Sequence, residues 1–191
     1  MMGWFSKKPE KNEDYRVTPA EPVAPVTPAR PEERTFTKGE LLDLVAEALD
    51  AKNFTYNRNE EKEFIDFRLT LSTCKKMGAV RVVVIPNTSN AIAFYAVCPQ
   101  NADESERPAV MEYITRANYG LRIGNFELDL NDGEIRYKTY LQMQGDIPPA
   151  KTVDRYLSLC YLMLEKYGNG LLSVMFGVST PEEAVKAAEG N

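Results

Sequence analysis

Residues 124–138 read GNFELDLNDGEIRYK, and this stretch predicts a β-hairpin. Asp132-Gly133 is a favoured pair for a two-residue type I′ turn. A turn at that point pairs residues of matching character on the two strands: Leu130 with Ile135, Asp129 with Arg136, Leu128 with Tyr137 and Glu127 with Lys138. One face is then apolar, and the other carries opposite-charge pairs worth about 0.2 to 1 kcal/mol each. A slip of one residue would turn the acidic side chains toward the core, so the pattern specifies one register.

The residues before the hairpin extend the prediction to an antiparallel meander. β-branched and aromatic runs bounded by polar residues are typical of strands. These runs are residues 54–58, 64–71, 80–85 and 91–97. The turn between the last two runs is predicted at Pro86, Asn87, Ser89 and Asn90, which are turn-forming residue types.

A helix is predicted ahead of the first strand, over residues 37–52. Thr37 and Glu40 have the spacing of a capping box, and Phe36 can pack on Leu41 as a hydrophobic staple. Apolar side chains then share one helical face, opposite an acidic one. They are Leu41, Leu42, Leu44, Val45, Ala48 and Leu49. This helix is expected to cover the core of a domain that runs from residue 36 to residue 190.

Two further helices flank the hairpin in the sequence. One begins near Pro108 and is predicted to end at Gly120 or Gly124, because glycine readily closes a helix in the left-handed conformation. The other opens at Pro148-Pro149 and is predicted to run to Tyr167, with Gly168 and Gly170 closing it. Together the patterns predict an α+β fold, in which an antiparallel sheet has flanking helices.

Leu159 and Leu162 project from the polar side of the long helix and need a cover. One explanation is that residues 171–176, with a capped helix beginning at Thr180, fold back over them. The other is that the two leucines contact a second copy of the chain or another protein. We therefore predict Leu159 and Leu162 as the partner or dimer contact, if there is one.

The composition indicates a globular protein without polyanionic partners. Hydrophobic residues make up 43% and charged residues 27% of the 191 residues, which are ordinary proportions for a folded domain. The net charge is -5 at pH 7, whereas nucleic-acid binding requires clustered lysine and arginine. No nucleic-acid partner is expected.

Residues 1–34 are predicted to form a mobile tail, because they are rich in proline and charge and poor in aliphatic residues. Proline recurs at every third position from Pro19 to Pro31, which matches the three residues per turn of polyproline II. Such a segment is either a stiff spacer or a ligand for an aromatic groove. Trp4 and Phe5 leave open a second role, as a membrane-surface adaptor.

A cytoplasmic location is expected. The sequence lacks an apolar run of signal-peptide length, and it lacks the roughly 18 apolar residues of a membrane span, so stable membrane insertion is not expected. Three widely spaced cysteines, at positions 74, 98 and 160, form no Cys-x-x-Cys pair, and there is no histidine to complete a zinc site.

The sequence contains few of the residue patterns that enzymes use for catalysis. The absence of histidine excludes triads that use an imidazole base. Glu127 and Asp129 share a strand face and provide the alternative of an enzyme with an acid/base pair, although their predicted cationic partners would keep both ionised. A calcium site of the EF-hand kind is not expected around the turn, because its fifth position needs an oxygen ligand and is Gly133 here. We predict no catalytic residue, no cofactor and no metal site.

From Asn118 onward the chain resembles the YbjN family, bacterial domains described as sensory transduction regulators. The residues that carry the resemblance are Asn118, the runs Gly124 to Asp129 and Gly133 to Tyr137, and the ending Thr180-Pro181-Glu182-Glu183-Ala184. The earlier helix and strands agree with the family in order but contribute no specific motif.

The resemblance implies a fold similar to that of type III secretion chaperones. Such folds have no active site, often dimerise, and present sheet and helix faces to peptides or partner proteins. We therefore expect a non-enzymatic protein-binding or chaperone-like regulatory module of the bacterial cytoplasm, whose protein partner the sequence does not identify. The resemblance carries over no functional residue.

Overall fold

The first helix begins at the predicted capping box, in a computed structural model that describes residues 34–87 and 90–190. Helix α1 spans Lys38–Asp50. The Thr37 hydroxyl accepts a hydrogen bond of 3.2 Å from the backbone N–H of Glu40, and the Glu40 carboxylate accepts one of 2.8 Å from the N–H of Thr37. The apolar face predicted for this helix is buried.

Six strands among the described residues form one antiparallel sheet, which confirms the predicted α+β class. They are β1 (Asn57–Asn59), β2 (Phe64–Thr70), β3 (Ala79–Asn87), β4 (Ala91–Val97), β5 (Asn125–Leu128) and β6 (Ile135–Gln142), in the spatial order β1-β2-β3-β4-β6-β5. A short 3₁₀ turn, Lys75–Met77, lies between β2 and β3.

Pro86 and Asn87 belong to β3 and not to the predicted turn. Pro86 pairs with Ile92 of β4, whereas the pairing of β3 with β2 extends only to Val84. Pro86 therefore lies beyond the part of β3 that has a strand on both sides, where the missing N–H of proline is tolerated. The predicted turn residue Ser89 lies outside the described residues.

Three more helices complete the fold: α2 (Arg107–Gly120), α3 (Ala150–Met175) and α4 (Pro181–Glu189). α1 packs against β2 and β3, α3 packs against β4 and β6, and α4 packs on α2 and α3. The core lies between the sheet and these helices, where Val82, Phe94 and Tyr137 are fully buried. The start of α2 beside Pro108 and its end at Gly120 confirm that part of the prediction.

The prediction that α3 ends near Tyr167 is wrong. Gly168 and Gly170 lie inside the helix, which continues to Met175. A Cβ atom at Gly168 would lie 2.8 Å from Cys74 Sγ, and one at Gly170 would lie 2.5 Å from the Tyr113 hydroxyl. These glycines therefore allow close packing of α3 on its neighbours and do not close the helix.

The hairpin register differs from the prediction by two residues. Leu128 pairs with Ile135, and Glu127 pairs with Arg136. Because the shift is even, Ile135 and Tyr137 still face the core, where both are fully buried. The predicted pairing of Leu130 with Ile135 and of Asp129 with Arg136 is wrong.

A six-residue loop, 129–134, replaces the predicted two-residue turn. The N–H of Gly133 donates a bond of 2.9 Å to Asp129 O, and Gly133 has a φ of +80°. The N–H of Ala102 donates to Gly133 O at 2.9 Å, and the Arg107 guanidinium donates to Leu130 O at 2.8 Å. Contacts with the segment after β4 thus stabilise a longer loop than the local sequence favours.

The structure does not test the prediction of a mobile N-terminal tail. Residues 1–33, which include the proline repeat and the Trp4-Phe5 tip, lie outside the described residues. The tail and the domain boundary at residue 36 stay predictions.

Candidate protein-interaction site

The hairpin carboxylate Glu127 is fully engaged by neighbouring cations. One oxygen accepts from Arg136 at 2.8 Å, and the other lies 3.4 Å from Lys138 Nζ. Partial burial alone would raise the pKa of Glu127, but the hydrogen bond from Arg136 and the charge of Lys138 outweigh burial and hold the pKa below its usual value. An ionised, paired carboxylate is a poor general acid.

Asp129 does not form the ion pair with Arg136 that the sequence predicted, since Arg136 pairs with Glu127 and Glu134. Asp129 is exposed, and its Oδ1 atom accepts bonds from the backbone N–H of Asn131 at 2.8 Å and from the Asn131 side chain at 2.9 Å. This is an Asx turn, which shapes the loop 129–134. Glu127 and Asp129 therefore do not form an acid/base pair.

The three cysteines are buried. Burial raises the pKa of the Cys98 thiol to about 11 and raises the pKa of the Cys160 thiol further. Their thiolates are scarce at neutral pH, so they are unreactive core residues. Within residues 34–87 and 90–190, no group of three or more Cys, Asp or Glu side chains is placed to hold a metal ion.

Residues that carry the family resemblance hold the hairpin in place. The Asn118 side chain accepts from the Phe126 N–H at 2.7 Å and donates to Phe126 O at 3.0 Å, so it occupies the outer edge of β5. A Cβ atom at Gly124 would lie 2.3 Å from Lys138 O. The Tyr137 hydroxyl donates to Ile123 O. These roles are structural, and none of them provides a reactive group.

The outward side of α3 is the most distinctive surface of the described chain. Its residues recur at spacings of three and four: Leu159, Leu162, Lys166, Asn169, Ser173 and Phe176. Leu162 is 45% exposed and Phe176 is 69% exposed, while Leu159 is half-buried. Large apolar side chains thus recur along α3 and directly after its end, on a side that the rest of the described chain leaves exposed.

Three shallow concavities run end to end along this side of α3. The first is lined by Pro149, Leu159 and Leu162, and Leu162 also lines the second. Thr73, Asn169 and Ser173 line both the second and the third, which ends at Phe176 and Val178. We call this continuous depression, with the outward residues of α3 as its floor, the α3 groove.

The α3 groove has two walls where it passes Lys166. The loop at Thr73 lies on one side, and Ala184, Ala187 and Ala188 of α4 lie on the other. The small side chains of α4 leave the floor accessible.

The Thr73 wall is held by Glu165 of α3. Its carboxylate accepts bonds of 2.8 Å from the backbone N–H of Thr73 and from the Ser72 hydroxyl. Desolvation alone would raise the pKa of Glu165, but the hydrogen bonds from Thr73 and Ser72 outweigh it and lower the pKa to about 2. Glu165 is therefore ionised at neutral pH, and its carboxylate oxygens are occupied by hydrogen bonds within the protein.

The cations that line the α3 groove have no ionic partner in the described part of the chain. Lys75, Lys76, Lys151, Arg155 and Lys166 line it, and none of them forms an ion pair with any described residue. The other carboxylate in the lining, on Asp154, lies 2.5 Å from Lys52 Nζ. The groove is thus a basic strip on a chain whose net charge is -5.

The open face of the sheet is a second exposed surface with different electrostatics. Ile85 and Tyr140 flank Ala93 in one row of that face, and they are 42% and 41% exposed. The cations Arg81 and Arg136 on this face pair with Asp66 and Glu127 at 2.9 and 2.8 Å. Since most of the charges on this face are paired within the protein, a partner needs fewer charged groups to bind it.

Sequence reasoning found part of the α3 groove and missed the rest. The structure leaves Leu162 exposed and places Leu171 and Leu172, the predicted cover, in α3 itself, where both are buried. That prediction of an intramolecular cover is wrong for residues 171–176, because they extend the helix. Phe176 and Val178 were missed for the same reason, although an apolar run past Gly170 was visible in the sequence.

A comparison with known protein families identifies the family of this chain. The profile of the YbjN family, described as "Putative bacterial sensory transduction regulator", matches residues 41–173. No curated protein matches the chain. Among the described residues, none of the helices has the length and apolar character needed to cross a membrane.

Proposed function

The chain belongs to the YbjN family, and on that premise we propose that it is a non-enzymatic, chaperone-like regulatory module that binds another protein through the α3 groove. The observation that carries the proposal is the exposure of Leu162 and Phe176, at 45% and 69%, along one continuous depression. Exposed apolar side chains grouped on one surface are characteristic of interaction sites.

Energetics support the proposal. Full burial of a leucine or phenylalanine side chain stabilises a complex by roughly 1.5 to 3 kcal/mol relative to exposure. Leu162 and Phe176 are 45% and 69% exposed, so a partner that covers them gains the corresponding part of this energy at each residue.

The alternative of an enzyme at the hairpin receives less support. Glu127 is paired with Arg136 and Lys138, and Asp129 is engaged by Asn131. The second alternative, a membrane-surface adaptor, depends on Trp4 and Phe5, which lie outside the described residues.

Photo-crosslinking in native cells tests the proposal. A benzophenone amino acid replaces Leu162 in the full-length chain, and the matched control carries it at Met111 of α2, which is 40% exposed. We expect a distinct protein crosslinked from position 162 and absent from position 111, and its loss when Phe176→Asp is added. Equal crosslinking from both positions, or none from position 162, would contradict the proposal.

A further inference from the structure

The floor of the α3 groove is a strip along one side of the helix. Leu159, Leu162, Lys166, Asn169, Ser173 and Phe176 follow one another by three or four residues, and residues with this spacing lie on one face of a helix. The strip is apolar at its two ends and polar between them. From Leu159 to Phe176 the floor is about 26 Å long, at 1.5 Å per residue. A helix of about 18 residues matches that length.

An extended ligand has fewer places to bind. An added strand needs a free sheet edge, and the edge strand β1 has only 3 residues. At the other edge, Asn118 occupies the N–H and the carbonyl of Phe126. Beside the floor, α4 contributes only the small side chains of Ala184, Ala187 and Ala188 to the lining.

The charges along the floor define the chemistry of that helix. Lys151 and Arg155 lie at its N-terminal end, Lys166 at its middle, and Lys75 and Lys76 beside Phe176 at its far end. Of the two carboxylates in the lining, Asp154 is paired with Lys52, and Glu165 keeps its charge while its oxygens accept hydrogen bonds from Thr73 and Ser72. The five cations therefore outnumber the one carboxylate that has no cationic partner among the described residues. A helix with apolar side chains on one face and carboxylates along both flanks would cover the apolar residues of the floor and pair with the cations along its whole length.

Resting on the proposed function, we propose that the α3 groove binds an acidic amphipathic helix of a partner protein. The apolar face of that helix covers Leu159, Leu162 and Phe176, and its carboxylates pair with the lysines and arginine that line the groove. Charge complementarity of this kind determines which partners are accepted and how fast they associate.

The first test measures fluorescence anisotropy of labelled 18-residue synthetic peptides with the full-length chain. The acidic probe carries leucine at helix-face spacing and glutamate elsewhere. A scrambled peptide has the same composition, and a basic peptide has lysine in place of glutamate. We expect binding of the acidic probe only, weakened by salt. Equal binding of the scrambled or basic peptide would overturn the inference.

Charge reversal locates the contact. Lys75→Glu/Lys76→Glu should weaken binding of the acidic probe by about tenfold or more, because two attractions become repulsions. The control Lys62→Glu/Arg68→Glu changes the net charge equally at exposed cations away from the groove, and it should change binding less than about threefold by screened long-range effects. The groove variant should also gain affinity for the basic peptide, a gain that an unfolded variant would not give.

Two outcomes separate this inference from the proposed function. A protein crosslinked from position 162, together with no binding of the acidic probe, would leave the function standing and overturn the acidic-helix ligand. Sedimentation with phosphatidylglycerol vesicles tests the competing anionic surface. Vesicle binding lost in Lys75→Glu/Lys76→Glu, without peptide binding, would replace the protein ligand with a membrane.

Discussion

The carboxylate of Glu165, in the middle of α3, accepts a hydrogen bond of 2.8 Å from the backbone N–H of Thr73. This bond joins the long helix to the loop after β2, and Thr73 in turn lines two of the three concavities of the α3 groove. The same carboxylate accepts from the Ser72 hydroxyl at 2.8 Å. A single side chain therefore positions one wall of the proposed binding surface.

Replacing this carboxylate should destabilise the fold. Glu165→Gln places an amide nitrogen against N–H donors, and we expect a loss of about 1 to 3 kcal/mol in the free energy of unfolding at pH 7. Urea unfolding measures the loss. The control Glu47→Gln, on the exposed side of α1, should change stability by less than about 0.5 kcal/mol. Equal stability of both variants would show that the Glu165 contacts contribute nothing.

The Glu165 contribution should depend on pH in a defined direction. Its folded-state pKa of about 2 lies below the ordinary 4.5, so the unfolded chain binds the proton more tightly. The stabilisation is then fully present above about pH 5 and is lost as the pH falls toward 2. The stability difference between the parent and Glu165→Gln should accordingly shrink over that range. A difference that stays constant down to pH 3 would contradict this.

Gly133 should be far less tolerant of substitution than another glycine of the same conformation. Gly133 and Gly145 have φ values of +80° and +75°, but a Cβ atom at Gly133 would lie 2.0 Å from Ala102 O, whereas one at Gly145 has open space. We expect Gly145→Ala to cost about 1 kcal/mol in backbone strain and Gly133→Ala to cost at least about 2 kcal/mol more from the clash. Similar melting temperatures for the two variants would contradict the close contact of the loop with Ala102.

The substitution Gly170→Ala should destabilise the protein, although alanine usually stabilises a helix relative to glycine. Gly→Ala normally stabilises a helix interior by about 0.5 to 1 kcal/mol. At Gly170 the new Cβ atom would meet the Tyr113 hydroxyl at 2.5 Å, and that hydroxyl is fixed by a 2.6 Å bond to Tyr167 O. We expect Gly170→Ala to destabilise by about 1 to 3 kcal/mol. In the control, Gly39→Ala, the new Cβ meets only ordinary contacts, so thermal unfolding should show no loss.

Leu159 and Leu162 should govern any self-association of the chain. If two copies meet through the α3 groove, the melting temperature of the parent rises with protein concentration, and Leu159→Ser/Leu162→Ser loses that dependence by mass action. Sedimentation of the parent, the double variant and the control Met111→Ser measures the association directly. A dimer that persists in the double variant would exclude these leucines from the contact, and a lower melting temperature at all concentrations would mean a cover within the chain.

The parts predicted correctly from sequence are those set by local chemistry. The capping box at Thr37 and Glu40 placed the start of α1, and the β-branched and aromatic run at residues 91–97 gave β4. The alternation in the hairpin assigned Ile135 and Tyr137 to the core even though the pairing moved by two residues, because an even shift preserves the faces. The family resemblance was also readable, since most of its residues fall in three short runs of the sequence, 124–129, 133–137 and 180–184.

Glycine and loop predictions failed where distant residues decide the structure. Gly168 and Gly170 have the pattern of a helix end. The helix continues through them because Cys74 and Tyr113 pack in the space that a side chain at these two positions would occupy. Asp132-Gly133 favours a tight turn, but the bond from Ala102 N to Gly133 O stabilises a longer loop. Neither competing contact lies within the local window that a sequence pattern reads.

The sequence by itself thus determined the α+β class, the order of helices and strands, the family, and the two leucines on the polar side of the long helix. Only the tertiary structure decided that α3 runs on to Met175, that α4 and the Thr73 loop flank it, and that Lys75 and Lys76 lie beside Phe176. The reason is physical: periodicity and capping act between residues a few positions apart, whereas a groove forms between segments about 100 residues apart in the chain, whose proximity depends on packing of the whole core.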